Sequence, residues 1–360
     1  MDVGLNSEQL ALRDSVRDVI HAECPPDVAR QAMTDPERWR TLWKTVVDLG
    51  WTELAAPASA GDSSLSTVDV AVVLEECGTA IAPIPLLSSV GLAAGVLRAA
   101  GSEMDRLRND IAGGVVATLA AHPPGHRLPG AAMTLQQGRL RGRAIAVPDF
   151  SRADLIVTLA AADDEVMAAV VRNGDGVMSE PAAECTNPAQ PLADVEIDTT
   201  PVASAPVDVG FALAWPLVAA AADLVGVASA ALTRSVEHAK SRRQFGKPIG
   251  AFQGIKHALA DNYVALERAR SVTYAAAALL DDSSSTAAAA WTGAALAKAA
   301  AGEAAVGCAR TAVQVHGALA QTWEHDIHLY LRHAWQAAAA LGDSRALYHA
   351  VGRRFAGGAA

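Results

Sequence analysis

From Val207 to the C-terminus the apolar residues recur at helical spacing almost without a break, which restricts the chain to folds with a large helical module. Leu217, Leu224, Val227 and Ala231 mark one helix, and Phe252, Ile255, Leu259, Tyr263 and Leu266 mark the next. The polar run Asp281 to Thr286 separates the second from a third, over about Ala287 to Leu319. The first hundred residues repeat the pattern on shorter segments. Asn6 can cap a helix with Gln9 three residues on, and Leu5 ahead of the cap supplies half of a hydrophobic staple. Further helices are predicted over about Asp35 to Leu49, Ser66 to Ala80 and Leu87 to Ala99, ended by Gly50, Pro83 with Pro85, and Gly101. Alanine, the strongest helix former, makes up roughly a fifth of the 360 residues and agrees with this reading.

Between about Ile111 and Val202 the texture changes. Val115 to Ala121, Arg139 to Val147, Asp154 to Ala161, Glu165 to Val171 and Leu192 to Ile197 are short runs with strand character. Clusters such as His122-Pro123-Pro124-Gly125 and Asn173-Gly174-Asp175-Gly176 separate them, and Gly113-Gly114 reads as a turn before the first. This spacing predicts a compact antiparallel barrel or sandwich. The chain therefore reads as mainly α with a central β domain. Its divisions are a helical domain over 1–110, a β domain over 111–205 and a helical bundle over 206–360. No internal repeat is visible, and Gly357 to Ala360 are expected to fray.

A net charge of −10 argues against nucleic acid or an anionic membrane as the main partner, because both need clustered Lys and Arg. With 51% hydrophobic and 19% charged residues the chain is globular. Cys24, Cys77, Cys185 and Cys308 lie far apart and form no CxxC pair, so they read as reduced thiols and not as a disulfide framework or zinc site. The N-terminus carries Asp2 and Glu8 where a signal peptide needs basic residues and an apolar run. No uninterrupted apolar stretch of about 18 residues occurs, so the expectation is a soluble, cytoplasmic protein. Neither a Ser-His-Asp set nor a Gly-rich phosphate loop emerges.

Two segments in the last third are more specific. One is Ser241-Arg242-Arg243-Gln244-Phe245-Gly246-Lys247-Pro248-Ile249, followed by Phe252-Gln253 and Lys256-His257-Ala258-Leu259-Ala260-Asp261. The other is Gln314-Val315-His316-Gly317-Ala318, followed by Thr322-Trp323-Glu324-His325-Asp326. Both resemble the acyl-CoA dehydrogenase family, whose helical, β and helical-bundle layout also matches the whole chain. The resemblance implies FAD as cofactor and an acyl-CoA substrate, which loses an α-proton to a carboxylate and a β-hydrogen as hydride to flavin N5. In that family these segments reach across a subunit interface to the ADP half of a neighbour's flavin. Carried over, Arg242 would contact the pyrophosphate with Gln244 beside it, and Phe245 would pack on the ribityl-adenosine portion near Gln253. Gln314 would bind pyrophosphate alongside Gly317. An Arg and a Gly-containing turn supply the charge and backbone donors that a pyrophosphate needs.

The reaction also needs a base, because an α-proton does not leave unaided at neutral pH. The family places its Glu at one of two positions, which here fall on Leu341 and on Pro216, roughly seven helical turns before Arg242. Asp343 and Asp208 are the candidates for a displaced base, although two residues of helix turn Asp343 away from Leu341 by roughly 200°. Trp215-Pro216 is expected to start a helix, where Pro is tolerated. The family's Glu-Pro-x-Ala-Gly-Ser-like loop is replaced by Ala120 to His126, and its Thr- or Ser-Asn strand end by Ile145-Ala146-Val147-Pro148. The second motif departs as well: Gly317-Ala318-Leu319-Ala320 stands where Gly-Gly-x-Gly-Phe is usual. No catalytic residue is therefore assigned.

Such asymmetric loss resembles the non-catalytic chains of bacterial heterotetramers that handle steroid side-chain CoA esters. The implied assembly is two plus two with a second family chain, which would hold most of the acyl-CoA, with electron-transfer flavoprotein or a similar acceptor. The alternatives are a self-sufficient dehydrogenase with an unrecognised base and a scaffold that binds neither flavin nor thioester. His325, His328 and His333 near Glu324 and Asp326 resemble metal ligands only superficially and read as a structural polar cluster, with no metal assigned.

Overall fold

The computed structural model describes residues 4–57, 66–183 and 185–356, so the end at Gly357 to Ala360 lies outside the described residues. Helix α1 (Ser7–Glu23) opens on the capping box expected of Asn6 and Gln9: Gln9 N–H donates to Asn6 Oδ1 at 2.8 Å, and Asn6 N–H to Gln9 Oε1 at 3.1 Å. Helix α2 (Pro26–Ala32) was not predicted, since seven residues are too few to show a period. It is followed by α3 (Trp39–Asp48) and by α4 (Thr67–Thr79), where Ser66 and Asp69 repeat the capping box. The segment predicted over 87–99 is π-helical from Leu87 to Ala93 and continues as α5 (Ala94–Ala99). A short polar helix, α6 (Asp105–Ala112), precedes the turn at Gly114, whose φ of +97° suits glycine.

The middle of the chain forms strands β1 (Ala117–Ala120), β2 (Met133–Gln136), β3 (Arg139–Pro148) and β4 (Leu155–Ala162). Strands β5 (Glu165–Arg172), β6 (Val177–Pro181), β7 (Leu192–Thr199) and β8 (Ala203–Pro206) complete one eight-stranded sheet, ordered β6-β7-β3-β2-β4-β5-β8 with β1 also on β4. The expectation of an antiparallel sheet needs correction, because β1 and β2 both run parallel to β4. They are successive pieces along one edge: β1 pairs with 155–158 and β2 with 160–161. The excursion over 121–132 between them therefore leaves the sheet and returns to the same edge.

The C-terminal module comprises α7 (Val209–Ser241), a tight hairpin of β9 (Arg243–Gln244) and β10 (Lys247–Pro248), then α8 (Gln253–Asp281) and α9 (Ala287–His316). Helices α10 (Ile327–Ala339) and α11 (Ser344–Ala356) follow. Helix α9 stops at His316, short of the predicted Leu319, because Gly317 turns the chain with a φ of +63°. Helix α7 is long and apolar enough to cross a membrane, yet almost all of it is buried inside the protein. It meets α4 at backbone contact: a Cβ on Gly226 would lie 2.0 Å from Glu75 O, and one on Gly78 2.2 Å from Asp223 O. This joins the first hundred residues to the bundle in one core.

The expected helix start at Trp215-Pro216 is wrong. Helix α7 begins at Val209, where Asp208 Oδ1 accepts from Phe211 N–H at 2.7 Å, so Pro216 lies inside the helix. Packing outweighs the lost hydrogen bond there, since Trp215 and Pro216 are buried against α5, where a Cβ on Gly95 would sit 2.3 Å from Trp215 Cδ1. The four cysteines are free, with Cys24, Cys77 and Cys308 buried.

Candidate functional site

Two places hold most of the residues singled out by sequence. The first is where the C-terminal ends of α7 and α9 converge. The Arg242 N–H caps α7 by donating to His238 O at 2.8 Å, and Ile249 N–H donates to Arg242 O at 2.8 Å across the hairpin. Phe245 and Gly246, the two loop residues, both have positive φ (+50° and +78°), the signature of the tight turn that matches strand twist. This turn leaves Phe245 90% exposed, with its ring edge-on to Phe252 at 6.1 Å. A purely structural core role for Phe245 is thereby excluded. Arg243 is spent on the turn, donating to Gly246 O at 3.0 Å.

Arg242 is exposed and, among the described residues, has neither a carboxylate partner nor a side-chain hydrogen bond. The exposed amides of Gln244, Gln253 and Gln314 are likewise uncommitted. At Gly317 a Cβ would meet nothing within 4 Å, so the backbone there is open to close approach. Three histidines that the sequence reading did not connect tie the two ends together. His238 stacks on His316 at 4.2 Å between centroids, and His316 meets His325 at 4.9 Å. Burial is the largest cause that holds all three below the ordinary histidine pKa, with neighbouring His and Arg charges adding to it, against the opposing pull of the Ala312 carbonyl on His316 and of Asp326 on His325. Their spacing in sequence gives no signal, because the residues come from three separate elements.

The second place is a cavity of about 470 Å³ between the sheet and the end of α10. Its walls include Ala121 and His122 from the excursion after β1, Ile145 and Ala146 from β3, and Trp335 and Leu341 from the helical side. The two β-domain segments that depart from the family pattern thus face one cavity, and Ile145 N–H donates to His122 O at 2.9 Å. Ala146 sits at a register shift in β3 with a φ of +52°. Leu341, with a φ of +57°, occupies the turn between α10 and α11 and lies on the cavity wall. Pro216 is not on that wall.

The displaced-base candidates have other duties. Asp343 caps α11, accepting from Ala346 N–H at 2.8 Å, and pairs with Arg127. Burial pushes its carboxyl up, but Arg127 and the helix-end amides outweigh this and hold it low. Asp208 caps α7. Neither lines the cavity.

The three C-terminal histidines also separate. His333 is buried and pairs through Nε2 with Asp223 at 2.7 Å, while Asn187 approaches its Nδ1 at 3.4 Å. Gln336 grips the same loop, accepting from Asn187 N–H at 2.9 Å and donating to Gln190 O at 2.7 Å. His328 stacks on Trp323, and His325 meets His316 at a tilt. Among the described residues no group of three His, Cys, Asp or Glu side chains could hold a metal ion.

Comparison with known proteins shows the family and the fold. The family profile for the acyl-CoA dehydrogenase N-terminal domain matches residues 6–108, and that for the C-terminal domain matches 212–355. Acyl-CoA dehydrogenase IpdE2 of Mycolicibacterium smegmatis is 32% identical over 347 residues, covering 95% of this chain and 96% of the relative. The crystal structure of the ChsE4-ChsE5 complex from Mycobacterium tuberculosis superposes with a TM-score of 0.87 at 26% identity, covering 100% of each chain. A Tcur3481-Tcur3483 steroid ACAD variant superposes at 0.88 with 25% identity over 98% of each chain.

Proposed function

The chain belongs to the acyl-CoA dehydrogenase family, and from that premise we propose that it is a non-catalytic subunit which completes a partner's flavin site. The observation that carries the reading is the opposite condition of its two half-sites. FAD is the family's cofactor, and the residues at the ends of α7 and α9 suit its ADP half. They offer one uncommitted guanidinium, three uncommitted amides, an exposed aromatic ring and an open glycine. In this role Arg242 would neutralise pyrophosphate, Gln244 and Gln314 would donate hydrogen bonds, and Gln253 would lie nearby. Phe245 would cover the ribityl-adenosine portion, and Gly317 would admit close backbone approach.

The cavity does not suit the ring half. Ile145 to Pro148 present no hydroxyl or carboxamide side chain, and Leu341 brings a hydrocarbon where abstraction of an α-proton requires a base. When bound in the shared site, the flavin supplies the hydride acceptor. The partner supplies the carboxylate and holds most of the acyl-CoA, and electron-transfer flavoprotein or a similar acceptor takes the electrons. The assembly is a two-plus-two heterotetramer. The similar structures named as a ChsE4-ChsE5 complex and a Tcur3481-Tcur3483 steroid ACAD support a second, different partner chain, and the latter supports a steroid thioester as substrate.

Co-expression with a family chain that retains the Glu tests the proposal. The two chains should co-purify with bound FAD and oxidise acyl-CoA, while this chain alone should not turn over. A homo-oligomer of this chain that carries one FAD per chain and dehydrogenates acyl-CoA would overturn it.

A further inference from the structure

The chain retains a well-formed cavity where it has no residues for the family's chemistry. Several of its wall residues, among them Ala146, Ala183, Trp335 and Ala339, are exposed, so the space opens to solvent. Here about 470 Å³ remains open, within the range of roughly 300–1,000 Å³ typical of small-molecule sites. Small residues keep it open: Ala121, Ala146, Ala182, Ala183, Ala339 and Ala340 all lie on its wall.

The chemistry of the wall defines the occupant. Among the described residues its only ionisable groups are Asp194 and His122, and both are engaged. Asp194 accepts from Arg143 Nη2 at 3.1 Å and from Ala146 N–H at 3.1 Å, while His122 Nε2 lies 2.8 Å from His126 O. Among the described residues no Lys or Arg lines the cavity, so they offer no counter-charge to a phosphate or a carboxylate. Gln336 is used up in holding the 187–190 loop. Two exposed polar side chains on the wall make no hydrogen bond to the protein among the described residues, the hydroxyl of Thr186 and the indole N–H of Trp335. The surrounding surface is hydrocarbon from Leu92, Leu119, Ile145, Leu192 and Leu341.

We propose that this cavity is a ligand site for a neutral, predominantly apolar small molecule that carries a hydroxyl or carbonyl oxygen. Its apolar body fills the space between β3 and Leu341, and its oxygen meets the free donors of Thr186 and Trp335. The assignment rests on the reading of this chain as a non-catalytic subunit, because a flavin ring in the same cavity would exclude the ligand.

The test titrates the full-length chain with Nile red, a neutral apolar dye with a carbonyl oxygen, and then displaces the dye. Saturable fluorescence enhancement with one site per chain is expected. 1-Decanol should displace the dye at least tenfold more effectively than decanoate or decanoyl-CoA. Ala339→Trp, on an exposed helical position, and Leu341→Trp should each weaken dye binding at least tenfold, and Thr186→Val should weaken displacement by 1-decanol severalfold. No saturable binding, unchanged binding in both tryptophan variants, or stronger displacement by decanoyl-CoA than by 1-decanol would overturn the assignment. Flavin retention in the complex, scored on Arg242→Ala, reports the other half-site separately. A failed dye titration beside a flavin loss in that variant therefore counts against the cavity assignment alone.

Discussion

The converging ends of α7 and α9 and the cavity beside α10 lie in one fold and differ in what their polar groups are doing. At the helix ends Arg242 and three glutamines stand exposed and uncommitted, and Gly317 leaves the backbone open. In the cavity the charged groups are already bonded to the protein itself, and the rest of the wall is mostly hydrocarbon. Uncommitted polar groups are free to bind a ligand, whereas satisfied ones hold a wall in shape. On the proposed reading, this difference is how a family chain would keep one half of a shared site and give up the other.

The largest effect should come from Arg242→Ala. Loss of a charge-assisted hydrogen bond, about 1.5–3 kcal/mol, should weaken flavin retention in the complex by roughly 10- to 100-fold. Unchanged flavin content would remove the helix ends from the flavin site. Next, Leu341→Glu places a carboxyl on the apolar wall and should lower stability by about 1–3 kcal/mol at pH 7. Burial would raise the folded-state pKa of such a group above its unfolded value, so the penalty should shrink as pH falls toward about 4. Dehydrogenation by the variant chain alone would show that the cavity lacks only a base, and would erase the contrast between the two regions.

A smaller effect concerns the histidine stack. His238, His316 and His325 have depressed pKa values in the fold, so the unfolded state binds more protons as pH drops. Their contribution is complete above the ordinary histidine pKa of about 6.5 and is lost as pH falls through the depressed folded values. Hydrogen exchange, corrected for intrinsic rates, should rise at the last turns of α7 and α9 between pH 7.5 and 5.5 while β3 beside the cavity stays protected. Uniform change across both regions would contradict this local origin.

Asp343→Asn should have the smallest consequence, about 0.5–1 kcal/mol for a weakened cap and an exposed ion pair. The fold lowers the pKa of Asp343, so its stabilising effect is present above the unfolded value of about 3.9 and disappears as pH falls through the lower folded one. Turnover of the complex should not change. Loss of turnover would restore Asp343 as a base.

Legibility in the sequence followed the range of the interactions. Caps at Asn6, Ser66 and Thr286 depend on neighbours three residues away, so the starts of α1, α4 and α9 could be read directly. Strands β2, β6 and β8 are only four or five residues long, and the parallel pairing of β1 and β2 with β4 depends on contacts distant in sequence. Pro216 misled because local helix rules favour Pro at a start, while packing against Gly95 keeps it inside α7. At the site, the motif residues and the altered β-domain segments were legible, and the structure groups them into two places. The histidine stack and the grip of Gln336 on the 187–190 loop were not, because each joins elements far apart in the chain.

The central claim is that this chain contributes one half of a flavin site and not a whole one. Native mass spectrometry of the complex with its catalytic partner tests it most directly. The account predicts two FAD molecules per two-plus-two tetramer, both lost on Arg242→Ala in this chain. Four FAD molecules per tetramer would contradict it, because the cavity of this chain would then have to hold a flavin ring of its own.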